Sequence, residues 1–127
     1  MPNPVQRFFS CLADSNVSGA LEYVNDDAVF EAQGPNNVPI YGRFEGPERV
    51  KRFLTIASEM FETEAFEFRK WATADNFVFA YGYMQHRVRK TGRLFKSEWA
   101  LVCQIKNGRI SSYKMFEDTA ALQDAYA

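Results

Sequence analysis

The sequence has one histidine, two cysteines and almost no net charge, and each scarcity removes a class of function. Cys11 and Cys103 lie near opposite ends of the chain, with no metal or redox spacing. They read as buried free thiols in a reducing cytoplasm. With His86 the only histidine, no metal is expected, and no cofactor. A formal net charge of -1 argues against a general nucleic-acid binder, which would be distinctly basic. No stretch approaches the roughly 18 apolar residues of a membrane span. The opening MPNPVQRFFSCLADSN lacks the basic start and apolar run of a signal peptide. The expected setting is the cytoplasm, away from membrane and nucleic acid.

What is abundant is aromatic. Phe, Trp and Tyr make up 16% of 127 residues, with 12 Phe, inside a hydrophobic share of 46% and a charged share of 24%. A chain of this length is one domain, 1–127, able to bury a core without staples.

Asn3 and Pro4 read as a helix cap and first position, and Val5, Phe8, Phe9 and Leu12 form one apolar helical face. The same spacing returns at Val17, Ala20, Leu21 and Val24. Asn25-Asp26-Asp27 breaks that second helix, and a strand follows from Ala28 to Ala32. The segment QGPNNVPIYGRFEG reads as loop with a short strand around Tyr41. Pro47 opens a third helix with Val50, Phe53, Leu54, Ala57 and Phe61 on its face. From Glu64 the period changes to two, and turn signals at Asp75-Asn76, Thr91-Gly92 and Asn107-Gly108 divide a meander of four antiparallel strands. Helices followed by strands predict an α+β fold.

Parity within those strands predicts a partner. Antiparallel sheets usually keep one polar face. Here the row Phe79, Tyr81, Ala100 and Val102 makes the second face apolar too, which predicts a homodimer through it. The basic run His86-Arg87-Val88-Arg89-Lys90, with Arg93 and Lys96, reads as a solvated hairpin tip. The alternative is attraction across a dimer to Glu59, Glu62, Glu64 and Glu67.

In this order of elements the chain resembles the NTF2-like fold, and within it the SnoaL-like polyketide cyclase and ketosteroid isomerase-like group. The resemblance is carried by NDDAVFEA, by YGRFEGPERVKRFL and by KTGRLFKSEWALVCQIKNGRISSYKMFEDTAAL. It implies a cone of helices on a strongly curved antiparallel sheet, an apolar cavity and frequent dimers. Carried over by position, the ketosteroid isomerase tyrosine, base and oxyanion acid fall on Phe8, Ala32 and Leu101. The cyclase-type histidine and aspartate fall near Leu101 and Met115, and the acid of limonene epoxide hydrolase-like enzymes near Met115. None of these positions carries the expected group.

Two titratable residues remain as catalytic candidates, Glu117 and His86. A two-residue loop at Thr91-Gly92 would pair Arg89 with Leu94 and His86 with Ser97. It would also set Met84 opposite Trp99 and Gly82 opposite Leu101; the resemblance implies that Leu101 faces the cavity, which puts His86 toward the cavity or its rim. A two-residue loop at Asn107-Gly108 turns Glu117 away from the cavity. A three-residue loop sets it opposite Ser97 on the cavity face, with Met115 opposite Trp99, and the resemblance favours that register. A poorly solvated Glu117 should have a raised pKa. The expected cavity lining is Phe8, Phe30, Phe53, Met84, Trp99, Leu101 and Met115, suited to a small apolar molecule. Asp118 is expected to cap a terminal helix. Two functions stay open: a cofactor-independent cyclase, isomerase or hydrolase, and a non-catalytic dimeric module for a ligand or a partner protein.

Overall fold

A computed structural model describes residues 2–127. The elements run α1 (Pro4–Ala13), α2 (Val17–Leu21), β1 (Val24–Ala32), β2 (Gly42–Glu45), α3 (Gly46–Met60), β3 (Phe61–Ala74), β4 (Phe77–Val88), β5 (Leu94–Lys106), β6 (Arg109–Phe116) and α4 (Thr119–Tyr126). The strands form one open, curved sheet in the order β2-β1-β6-β5-β4-β3, so the fold is the expected α+β, NTF2-like arrangement. The sheet is antiparallel except where β1 runs parallel to β6.

Local chemistry accounts for the helices. The Asn3 side chain accepts from the Gln6 N–H while the Gln6 side chain accepts from the Asn3 N–H, both at 2.9 Å, which satisfies two orphan donors at the start of α1. Pro47 sits in the first turn of α3. Asp118 accepts from the Ala121 N–H at 3.0 Å and caps α4 as expected.

Two boundaries differ from the sequence expectation. Val24 opens β1 instead of closing α2, because the Ile110 N–H donates to the Tyr23 carbonyl at 2.7 Å and fixes an extended chain there. Asn25-Asp26-Asp27 therefore lies in the strand, where the register with β6 is irregular. Phe61 likewise opens β3, paired with Val88, so its apolar side chain serves the sheet.

One face of the sheet carries the core. Even positions of β4 and odd positions of β5 are buried under the helices, among them Val78, Ala80, Met84, Trp99, Leu101 and Cys103. From α1, Phe8 meets Phe30 and Tyr113; from α3, Phe53 meets the same pair. The rings of Phe30 and Tyr113 stack face to face, 4.3 Å between centroids. The outer face holds Phe79, Tyr81, Ala100, Val102 and Phe116, with Phe79 paired with Val102 and Ala100 between Tyr81 and Phe116.

The two hairpins before the C terminus are both displaced by two residues from the expected registers. At Thr91-Gly92 the loop spans four residues, 89–92: Val88 N–H donates to Arg93 O, and Arg87 pairs with Leu94. The Arg89 N–H is taken instead by the Met60 carbonyl at 2.8 Å, which removes it from the hairpin. His86 therefore faces Phe95, Met84 faces Ser97, and Gly82 faces Trp99. A shift of two preserves the face each residue occupies. The basic tip is not simply solvated. Arg93 donates to the Asp124 carbonyl, the Thr91 hydroxyl to the Ala125 carbonyl, and the Lys90 ammonium lies 4.0 Å from the Tyr126 ring centre. The tip thus holds the C-terminal end of α4, where carbonyls favour cations.

At Asn107-Gly108 the loop has two residues, both with positive φ, and Lys106 pairs with Arg109. That turn alone would send Glu117 outward. A one-residue bulge at Ser111 intervenes, so that Ile105 pairs with Ile110 but Gln104 pairs with Ser112. The bulge restores the parity, and Leu101 pairs with Met115.

Candidate functional site

Glu117 follows directly on β6 and precedes the cap of α4. It continues the row in which Tyr113 and Met115 face the core, one step past the Ala100–Phe116 pair. The Asp118 N–H donates to the Ser97 hydroxyl at 3.0 Å and holds this corner to β5. The Glu117 carboxylate accepts a hydrogen bond from the Tyr41 hydroxyl at 2.9 Å.

Tyr41 comes from the loop 33–41 between β1 and β2. Val38 and Ile40 anchor that loop in the core. The Tyr41 ring lies on Gly34, where a Cβ would come within 2.5 Å of it, so only glycine leaves room.

Burial pushes the Glu117 carboxyl up from its ordinary 4.5 to about 7, and the Tyr41 hydrogen bond pulls partly against that shift. Burial and then the charge of Glu117 push the Tyr41 phenol well above its ordinary value, so it remains a neutral donor. Tyr113, on the same face of β6, is also pushed up, by burial first and then by Cys103 and Glu117. A carboxyl poised near neutrality can both give and take a proton, and strongly shifted groups of this kind cluster at functional sites.

Ala32, Met115 and Leu101, onto which the resemblance carried catalytic groups, stand in one row across β1, β6 and β5. The row is entirely apolar. Glu117 lies two residues beyond it along β6, on the same face. The acid therefore occupies the neighbouring position to an erased one.

His86 is elsewhere. It lies on the core face of β4, stacked on Phe61 at 4.4 Å, and its Nδ1 is 2.9 Å from the Thr63 hydroxyl. Burial lowers its pKa from 6.5 to about 4, which leaves it neutral at pH 7. Two strand spacings and several residues of register separate it from Glu117, more than ~10 Å. The two candidates are not brought together.

The seven expected lining residues all face the core, but their side chains meet one another. Phe8, Phe30, Trp99 and Leu101 are 0–2% exposed, Phe53 and Met84 are buried, and Met115 is half-buried. Water-sized space beside the first four would appear as exposure, so they fill the interior rather than surround a hollow. The reason is aromatic mass: Phe9, Phe66 and Tyr113 also project there. Two hollows lie at the edges. A cleft of about 650 Å3 runs between α1 and β3, walled in part by Phe9, Phe68 and Trp71. A shallower one of about 320 Å3 is lined by Tyr81, Glu98, Trp99, Ala100, Phe116 and Glu117.

Tyr41 is the site residue that the sequence did not announce. The one local signal was an aromatic hydroxyl beside glycine in a Gly/Pro/Asn-rich loop. Among the described residues, no group of three or more His, Cys, Asp or Glu is arranged to hold a metal, and no helix is long and apolar enough to cross a membrane.

The model of the SnoaL-like domain matches residues 5–113. Similar solved structures include an NTF2-like protein of Burkholderia xenovorans, 25% identical with a TM-score of 0.90 over 98% of this chain and 93% of the other. An NTF2-like protein of Burkholderia thailandensis is 18% identical, TM-score 0.87, over 100% and 99%. A protein of ketosteroid isomerase-like fold from Catenulispora acidiphila, in complex with trimethylamine, is 12% identical, TM-score 0.80, over 99% and 93%. None of the curated proteins matches the sequence.

Proposed function

Because the chain belongs to the SnoaL-like domain family, we propose that it binds a small, mostly apolar molecule in the hollow that Glu117 lines and transfers a proton there through Glu117. On this reading it is a cofactor-independent cyclase, isomerase or hydrolase. One observation carries it: a carboxyl raised to about 7, with a tyrosine hydroxyl as its hydrogen-bond partner, in largely apolar surroundings.

The chemistry follows from that pair. Protonated Glu117 donates to a carbonyl or epoxide oxygen of the ligand; ionised, it accepts a proton from carbon or water. Tyr41 steadies the ionised form by donating to it, and the carboxyl regains its proton from the ligand carbon or from water. His86 is too far from Glu117 to exchange protons with it directly, and water completes the opposite transfer. The two free thiols, Cys11 and Cys103, suit a reducing cytoplasm.

The test is turnover of a panel of cyclic ketones and epoxides, followed by proton NMR in D2O. Glu117→Gln, which keeps the shape and the bond from Tyr41, is expected to lower any turnover at least ~100-fold. Turnover that survives the substitution overturns the assignment.

A second reading, a non-catalytic dimeric module, is favoured by the outer face of the sheet. Phe79, Tyr81 and Phe116 are 36%, 38% and 49% exposed there, in one patch with Ala100. A second copy of the chain is the occupant proposed for it, and dimerisation is compatible with either activity.

A further inference from the structure

The sheet has two edges, and they are guarded unequally. An edge strand offers unpaired N–H and C=O groups to any other strand, and folded chains blunt it with shortness, charge, bulges or cover. At one edge β2 has four residues, Arg43 and Glu45 among them. At the other β3 has 14. From Phe61 to Lys70 this strand carries Glu62, Glu64, Glu67, Arg69 and Lys70, and bulges leave Glu64 and Arg69 without partners on β4. From Lys70 to Ala74 the register with β4 is unbroken, and Trp71 to Ala74 carry no charge. Ala72, Thr73 and Ala74 are exposed.

The turn fixes which backbone groups are free. A two-residue loop, Asp75-Asn76, joins Ala74 to Phe77, so this flanking pair exchanges both hydrogen bonds. Alternation gives Ala72–Phe79 and Lys70–Tyr81 the same inward bonds, and it turns the N–H and C=O of Trp71 and Thr73 away from β4. Among the described residues no other backbone group meets them. An identical segment running the other way fits this pattern. Trp71 falls opposite Thr73, Thr73 opposite Trp71, and the small Ala72 opposite itself. The charges fit in the same register. Lys70 falls opposite Ala74, one residue from Asp75 and within reach of it. Among the described residues no ion pair uses Lys70 or Asp75.

We propose that residues 70–74 of β3 pair antiparallel with the same residues of a second copy, about a two-fold axis at Ala72, and so join two sheets edge to edge. Trp71 of each copy exchanges its outward N–H and C=O bonds with Thr73 of the other, and each Lys70 meets the other copy's Asp75. The two-fold closes on itself, so the contact makes pairs and not a filament. Trp71 lines the cleft between α1 and β3, so each cleft gains the other copy's Thr73 along its outer side. The contact shares no residue with the patch of Phe79, Tyr81, Ala100 and Phe116, and it does not rest on proton transfer by Glu117. It buries far less than the ~800 Å2 a side of a standard interface, so it forms at submillimolar concentration and leaves micromolar association to the outer patch.

At the axis Ala72 meets its own copy as a non-hydrogen-bonded pair, with Cα atoms ~4.5 Å apart, inside the ~4.4–6.8 Å span of a disulfide. In a Cys11→Ser chain, which keeps only the buried Cys103, Ala72→Cys should therefore form disulfide-linked dimers in a glutathione buffer at submillimolar concentration. Ala74→Cys lies on the same face but far from its own copy, and it should link at least ~10-fold more slowly. Thr73→Pro removes an outward N–H, which an edge strand tolerates. It should bring Ala72→Cys down to the Ala74→Cys rate while the amides of Ala72 and Ala74 stay protected from exchange. Lys70→Glu should slow the link, and Asp75→Lys added to it should restore the rate. Tyr81→Ser with Phe116→Ser should leave the rate unchanged, which separates this contact from the outer patch. The proposal is overturned if Ala72→Cys links no faster than Ala74→Cys, or if Thr73→Pro leaves the rate unchanged. It is equally overturned if Lys70→Glu with Asp75→Lys links no faster than Lys70→Glu alone.

Discussion

Tyr41 and Glu117, 76 positions apart, are joined by a hydrogen bond of 2.9 Å in which the phenol donates to the carboxylate. The bond opposes the effect of burial, which holds Glu117 near 7. Carboxyl 13C NMR should therefore find Glu117 titrating near 7. Tyr41→Phe removes the donor and should move the midpoint further up. A midpoint at about 4.3, the model-peptide value, would put the carboxyl in solvent and end its candidacy.

Glu117 and His86 make stability depend on pH in opposite senses. Glu117 has a folded pKa above its unfolded 4.5, so its contribution is complete below 4.5 and is lost as pH rises through about 7. His86 has a folded pKa of about 4 against 6.5, so its contribution is complete above 6.5 and is lost as pH falls toward 4. Each shift corresponds to ~3 kcal/mol. Between 4.5 and 6.5 the two slopes cancel. Urea denaturation of the native chain should therefore show a plateau there, whereas Glu117→Gln should gain stability steadily from pH 4 to 6.5. Parallel curves for the two proteins would contradict the Glu117 assignment, and a Glu117→Gln curve flat from pH 4 to 6.5 that of His86.

Asp118 sits beside Glu117 but does other work. Asp118→Ala removes the cap on the Ala121 N–H and should cost ~1 kcal/mol, seen as a lower urea midpoint with an unchanged slope. The titration of Glu117 should stay near 7, since the neighbouring N–H bond to Ser97 uses backbone only.

The parts of the fold legible in the sequence are those decided within a few residues. Asn3 and Asp118 mark their helices because a cap bonds three positions away, and Pro4 and Pro47 because a fixed φ suits the first turn. Face assignment also held, because alternation survives any even shift. Register was not legible. The Arg89 N–H goes to Met60, and Ser111 is an extra residue whose presence no local pattern announces. The pairing of Tyr41 with Glu117 was hidden for the same reason, since it depends on how a nine-residue loop packs on Gly34. The filled interior came from counting lining positions without counting ring volume.

The outer patch predicts association. Sedimentation equilibrium at micromolar concentration should give twice the 14.6 kDa chain mass. Tyr81→Ser with Phe116→Ser should return the monomer while leaving the far-UV spectrum intact, because both side chains are exposed. A native chain that sediments as monomer rules the interface out.

The bulge at Ser111 acts as a phase shifter for everything after it. A two-residue turn sets one parity for β6, and the single unpaired residue reverses it before Tyr113. Deleting any one residue between Arg109 and Ser112 would restore the parity of the turn. Phe116 would then point into the core, and Glu117 would point out with Met115 and Tyr113. An entire face of the protein, acid included, thus hangs on the chain length of one short segment. Substitutions there that keep Ile110 apolar are tolerable, but insertions or deletions of odd length are not, so variation among related chains should enter this hairpin in steps of two.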